Sequence, residues 1–218
     1  IAWRNYRRIR ETEAGTYFCS VGTDSQGRVA KTAAAELKRA AQEILGLEMQ
    51  EVSGEQTKGI RLKLNRESAV GEEGYHIFEK DHMVTIESAG DRGLLYGSFA
   101  LIRMLQTGGT ICGANRTETP KNPIRILNHW DNIDGSIERG YSGRSFFFQD
   151  QKVLVNDRTR AYARLAASVG INASVINNVN VKGNATKLIT ETYRREMQEM
   201  AEIFADYGIS LYLSLNFA

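Results

Sequence analysis

A chain of 218 residues, 42% of them hydrophobic, has room for one large domain or two small ones. Its 28 Lys and Arg against 26 Asp and Glu leave a net charge of +2, which gives no basic field for nucleic acid and no acidic tail. The absence of any run of about 18 apolar residues excludes a membrane-spanning helix.

Cys19 and Cys112 are far apart and lack metal-ligand spacing. They read as two buried free thiols, each a small hydrophobe, with a single disulfide left open. His76, His82 and His129 form no H-x-x-H or H-E-x-x-H pattern, so no metal is expected. No signal peptide is visible, but the chain starts at Ile1 rather than Met and stops at Ala218 directly after a strand-like run. Both ends read as cut, and the chain reads as a fragment of a longer polypeptide. Compartment stays open between cytoplasm, periplasm and exterior.

Residues 17–21 have strand character, with Tyr, Phe, Cys and Val close together. From 29 to 45, Ala33, Leu37, Ala40, Ala41 and Ile44 recur at helical spacing, with Asp24 and Ser25 upstream and Gly46 where a C-terminal cap belongs. Ile60, Leu62 and Leu64 alternate with Arg61 and Lys63, the period of a strand with one buried face. Residues 75–79 and 83–87 read as a hairpin turning at Lys80, Asp81 and His82. A helix over 92–106, capped by Asp91, is apolar around most of its circumference, so layers on two sides are expected to cover it. Residues 1–107 carry no recognisable chemistry. Gly108-Gly109 and then Pro120 and Pro123 mark a linker. Helices on hairpin strands predict a small α+β domain over residues 1–122.

Past Pro123 the rhythm changes. A strand at 124–128, a polar loop at 129–156 and a helix at 157–169 (capped by Asn156 or Asp157, ended by Gly170) come first. A strand at 173–176, a helix at 191–207 ended by Gly208 and a strand at 209–215 follow. This β-α-β-α-β order predicts parallel strands, in a barrel or a doubly wound sheet. A doubly wound nucleotide-binding domain carries a Gly-rich turn after its first strand, and here that turn is Asn128-His129-Trp130-Asp131-Asn132. The preferred class is therefore α/β: a small α+β domain, then residues 123–218 as the first three β/α units of an incomplete (β/α)8 TIM barrel.

Barrel sites gather at the C-terminal ends of strands. That selects His129, Trp130, Asp131, Asn132, Asp134 and Glu138 after the first strand, Asn177, Asn178, Val179 and Asn180 after the second, and Asn216 and Phe217 after the third. The palette suits carbohydrate: an indole face for the C–H face of a sugar, with Asn and Asp for its hydroxyls. Trp130 as barrel core and the Asn residues as loop organisers remain open at this point. Asp131, Asp134 and Glu138 lie close enough in sequence to suggest a glycosidase carboxylate pair. Barrel enzymes, however, draw their catalytic groups from several strands. The N-x-S/T triplets at Asn115, Asn172 and Asn184 carry no weight as glycosylation sites, and Asn172 is expected to be inaccessible.

The block from Asn128-His129-Trp130-Asp131-Asn132 through Glu138-Arg139-Gly140-Tyr141, with Gly143 and Ser145-Phe146-Phe147, closely resembles the α-glucuronidases of glycoside hydrolase family 67. The same holds for Gly170-Ile171-Asn172, Asn177-Asn178-Val179-Asn180 and Leu213-Ser214-Leu215-Asn216-Phe217-Ala218. Residues 1–107 resemble that family's N-terminal accessory domain more loosely, and also the domain that precedes the barrel in family 20 β-hexosaminidases. The resemblance implies removal of α-1,2-linked (4-O-methyl-)glucuronic acid from xylooligosaccharides, with inversion and without a cofactor. It puts the catalytic acid and bases after later strands, so no catalytic residue is expected in this chain. It makes Trp130 the tryptophan that packs on the uronic acid and Val179 the apolar residue beside the 4-O-methyl group. Asp131, Asn178, Glu138 and Arg139 lie in the same blocks as further substrate-binding candidates, or as residues that hold the loop. A glucuronoxylan-derived oligosaccharide is the expected partner, and a homodimer of the full-length enzyme stays open. Two other readings stand beside this one: a non-catalytic carbohydrate-binding module and a family 20-like hexosaminidase.

Overall fold

The computed structural model describes residues 6–10, 13–177 and 184–215. It divides into two compact units, Ile1–Pro123 and Ile124–Ala218.

The first unit is a mixed sheet with two helices. Its elements in chain order are β1 (Ser20–Thr23), α1 (Arg28–Ala40), β2 (Gln50–Val52), β3 (Gly59–Leu64), β4 (Tyr75–Lys80), β5 (Met83–Ser88), α2 (Asp91–Gln106) and β6 (Asn115–Glu118). Among the described residues the strands form one six-stranded sheet in the order β2-β1-β3-β5-β4-β6. Pairing is parallel from β2 to β5, while β4 is antiparallel to both β5 and β6. The helical period of α1 buries Ala30, Ala33, Leu37 and Ala40. A π turn at Ala41–Leu45 then ends at Gly46, whose φ of 71° closes the helix as expected for a glycine cap.

Several boundaries differ from expectation for identifiable reasons. The strand anticipated at 17–21 begins at Ser20, because Tyr17 and Phe18 plug the core from a turn after a short 3-10 helix, Glu13–Thr16. Gly90, not Asp91, caps α2. The Asp91 carboxylate instead accepts the Ser25 hydroxyl at 2.7 Å. The edge strands β2 and β6 carry no apolar alternation, since their residues are exposed or half-exposed, and periodicity could not find them. Both cysteines are free, but Cys112 is exposed and Cys19 only half-buried, so the expectation that the thiols are buried is corrected. Both lie in irregular segments flanking the core, where the bulk of Tyr17, Phe18 and Ile111 fills the interior instead.

The hairpin turn places Asp81 and His82 at φ of 52° and 65°. Two successive left-handed residues are what a two-residue turn needs to match strand twist. Glu79 secures it by accepting the His82 N–H at 2.9 Å. α2 lies close against β5 through two glycines: a Cβ at Gly93 would meet Ser88 Oγ at 2.0 Å, and one at Gly97 would meet Ile86 Cγ2 at 2.4 Å. Ser88 is fully buried, and its hydroxyl donates to the Gly74 carbonyl at 2.7 Å and accepts the Gly90 N–H at 3.2 Å.

The second unit contains β7 (Ile126–Asn128), a small hairpin of β8 (Phe148–Gln149) and β9 (Lys152–Val153), α3 (Asp157–Ser168), β10 (Ala173–Val175), α4 (Arg194–Asp206) and β11 (Ser210–Tyr212). β10 lies between β7 and β11, parallel to both. Asn156 and Thr159 form a reciprocal capping box at the start of α3. α4 starts at Arg194, later than its apolar period suggested, after a 3-10 segment at Asn184–Ile189.

Candidate functional site

The three parallel strands have two distinct faces. Ser174 is fully buried and hydrogen-bonds the Tyr162 hydroxyl of α3 at 2.7 Å, so its face is the one covered by helices. Residues alternate across a sheet. The register therefore puts Asn128, Val175 and Tyr212 together on the opposite face, with Ile126, Ala173 and Ser210 one row before them.

The ladder continues one step past β7, where the His129 N–H reaches the Val175 carbonyl at 2.8 Å. The His129 ring turns to the helix side, its Nε2 2.7 Å from the Tyr162 hydroxyl. It stands edge-on to Phe147 and Tyr162, and Phe204 of α4 completes this aromatic cluster. Burial holds the imidazole below its ordinary pKa, partly offset by the nearby Asp131 carboxylate, so it is neutral near pH 7. Burial also pushes the Tyr162 phenol up to about 12. A relay of Ser174, Tyr162 and His129 thus fixes the end of β7 from behind.

Trp130 is 44% exposed. Asp131, one step on, is 3% exposed. Burial raises its pKa, opposed by a hydrogen bond from the Ser145 hydroxyl and by His129. The Ser145 oxygen also accepts the N–H groups of Phe147 and Phe148, at 3.0 Å each. Trp130 is therefore an exposed indole between a half-buried histidine and a buried aspartate.

The loop folds back on itself. Asp131 forms a bridge with Ile137, and the Glu138 N–H reaches the Trp130 carbonyl at 2.9 Å. The Asn132 side-chain amide donates to Ser136 Oγ and to the Glu138 carbonyl. Asp134 accepts the Ser136 N–H and hydroxyl, which lowers its pKa. Phe147 and Phe148, both fully buried, anchor the far end of the loop. Trp130, Asp131 and Glu138 are thus brought together, Glu138 half-buried in a left-handed conformation with φ of 58° and Arg139 exposed beside it. Asn132 and Asp134 spend their polar atoms inside the loop, so the structure gives them a scaffolding role.

Asn177 likewise serves the backbone. It is buried, donates to the Ser214 carbonyl at 2.7 Å and accepts the Ser214 N–H at 2.8 Å, joining the ends of β10 and β11. Asn178, Val179, Asn180, Asn216 and Phe217 lie outside the described residues. Among the described residues no group of three or more His, Cys, Asp or Glu could hold a metal. Sequence reading assigned no functional role to Tyr162 or Tyr212, which helix periodicity and a strand absorbed, and marked Ser145 only as part of a block shared with the resembling family. The only signal for Tyr212 was its parity with the strand's other open-face positions.

The family model described as the glycosyl hydrolase family 67 middle domain matches residues 104–218. The chain belongs to glycosyl hydrolase family 67. A second model, family 20 domain 2, matches residues 11–118. Among curated relatives, "Probable alpha-glucuronidase A" of Aspergillus oryzae is 40% identical over 162 residues, covering 72% of this chain and 19% of the relative. "Alpha-glucuronidase A" of Emericella nidulans is 42% identical over 154 residues, covering 67% of this chain and 18% of the relative. This family 67 chain therefore spans under a fifth of the length of the relatives it matches. Solved structures that share its fold include the following two. A family GH115 4-O-methyl-α-glucuronidase with specificity for decorated arabinogalactans gives a TM-score of 0.64 at 14% identity, over 90% of this chain and 28% of that one. The Streptomyces plicatus N-acetyl-β-hexosaminidase gives 0.64 at 18% identity, over 93% of this chain and 42% of that one. The architecture is thus mixed α/β with neighbours among glycosidases.

Proposed function

We propose that this chain forms the front part of an α-glucuronidase that removes α-1,2-linked (4-O-methyl-)glucuronic acid from xylooligosaccharides. Residues 1–122 are an accessory α+β domain in this reading. The strands β7, β10 and β11, with α3 and α4, are the first three β/α units of a (β/α)8 barrel. The hydrolysis is inverting and uses no cofactor, and its acid and bases come from residues outside this chain.

The observation that carries the reading is Trp130: an exposed indole just past the C-terminal end of a parallel strand, between His129, which bonds Tyr162, and the buried Asp131. An aromatic face in that position offers a platform for the C–H face of a sugar ring. Asp131 is buried against Ser145 and suits a supporting role better than an acid or base, which must reach substrate. Glu138 and Arg139 remain on the accessible side of the loop as second contacts, and Val179 and Asn178 remain proposed contacts from the loop after β10.

The enzyme that includes this chain is expected to release glucuronic acid from aldouronic acids. Trp130→Ala should raise KM or lower kcat/KM by up to about tenfold, since stacking contributes about 0.5–1.5 kcal/mol beyond burial. Wild-type kinetics in that variant would remove the site assignment. A family 20-like hexosaminidase is the second reading, favoured by the match over residues 11–118. That match covers the first unit, whereas the proposed site lies on the second. Release of an N-acetylhexosamine in place of glucuronic acid would decide for it.

A further inference from the structure

The open face of the β7-β10-β11 sheet changes character along the strands. Its first row is Ile126, Ala173 and Ser210, apolar or small. Its next row, toward the C-terminal ends, is Asn128, Val175 and Tyr212. Asn128 is exposed and Tyr212 is 52% exposed, and neither side chain hydrogen-bonds another described residue. The His129 ring turns toward Tyr162, so strand alternation carried past β7 assigns Trp130 to the side of Asn128.

In a closed barrel this face becomes the interior. An amide and a phenol buried there without partners would each cost about 1–3 kcal/mol. Apolar layers fill barrel interiors, while polar side chains at the C-terminal ends of strands face the site. The two side chains flank Val175, one on each neighbouring strand, directly before the position of Trp130. We propose that Asn128 and Tyr212 are sugar-binding residues that form the floor of the pocket walled by Trp130, with their amide and phenol hydrogen-bonding hydroxyls of the bound uronic acid. This assignment rests on the α-glucuronidase reading.

The test uses the complete enzyme, with aldouronic acid as substrate and free glucuronic acid as competitive inhibitor. Tyr212→Phe keeps the ring and removes one hydroxyl, and is expected to raise KM and the inhibition constant of glucuronic acid about three- to tenfold, as for one lost hydrogen bond. Asn128→Asp keeps size and adds a negative charge close to an anionic sugar. It should weaken glucuronic acid more than Tyr212→Phe does, and the added loss should shrink as salt rises. Melting temperatures should stay at the parental value, which a purely structural role would not allow. Unchanged KM and inhibition constants in both variants, in an enzyme that still depends on Trp130, would overturn the floor assignment and leave the activity standing. Absence of glucuronic acid release from the unmutated enzyme would overturn the activity and the assignment together. If Asn128→Asp lowers the melting temperature, Tyr212→Phe decides alone.

Discussion

Asp131, next to the proposed site, is a residue that costs stability where it is buried. Its folded-state pKa is raised by burial, above an unfolded value of about 3.9. A group raised in this way contributes stability below the unfolded pKa and loses it as pH rises through the folded one. Near pH 7 its ionised form is therefore a burden. Asp131→Asn should raise the melting temperature at pH 7, and the gain should vanish near pH 3, where both side chains are neutral. Calorimetry across that range checks it, and a parent chain equally stable at pH 7 would refute it. The residues alone left Trp130 open between barrel core and an exposed platform, and its 44% exposure came only with the fold. The burial of Asp131 was not legible in the sequence either, since it depends on Ser145 returning to it from across a long loop.

Among the elements, the helices were the readable part and the short edge strands the unreadable part. α1, α2 and α3 each bury one coherent stripe or most of their surface, and the 3.6-residue period records that directly. β2 and β6 lie at the sheet edges with little buried, so their formation depends on neighbours that a local pattern does not contain. α2 also shows local propensity yielding to packing. Glycine in a helix costs about 1 kcal/mol relative to alanine. Yet Gly97 sits where a Cβ would reach Ile86 Cγ2 at 2.4 Å and Tyr75 Cβ at 3.2 Å. Overpacking a core costs about 1–3 kcal/mol. Gly97→Ala is therefore expected to destabilise the first unit by about 1 kcal/mol overall in urea unfolding, although the exchange favours the isolated helix. A stabilised variant would mean that α2 can move away from β5 at little cost.

For the molecule as a whole, the division near Pro123 is where the composition already changed, from one mixed sheet to a β/α alternation. The details of the loop at 129–156 were not legible, because left-handed residues such as Glu138 and cross-loop bonds such as Asn132 to Glu138 leave no periodic trace. The second unit exposes Ile126, Leu127 and Tyr212 along β7 and β11. Open edges and apolar surface of this kind seek cover. The 218-residue chain alone is accordingly expected to bind a hydrophobic dye and to leave aldouronic acids uncleaved, and turnover by the isolated chain would contradict the placement of the acid and bases outside it. In the first unit, the left-handed pair Asp81 and His82 bears on the order in which the sheet assembles. It joins two strands adjacent in sequence, whereas Val21 must find Ile60 across an intervening helix. Closing a short loop costs less chain entropy than closing a long one, so local pairings lead and distant ones follow. The β4–β5 hairpin is therefore expected to form before β3 and β1 join it, and φ-values higher in β1 than in β4 and β5 would contradict that order.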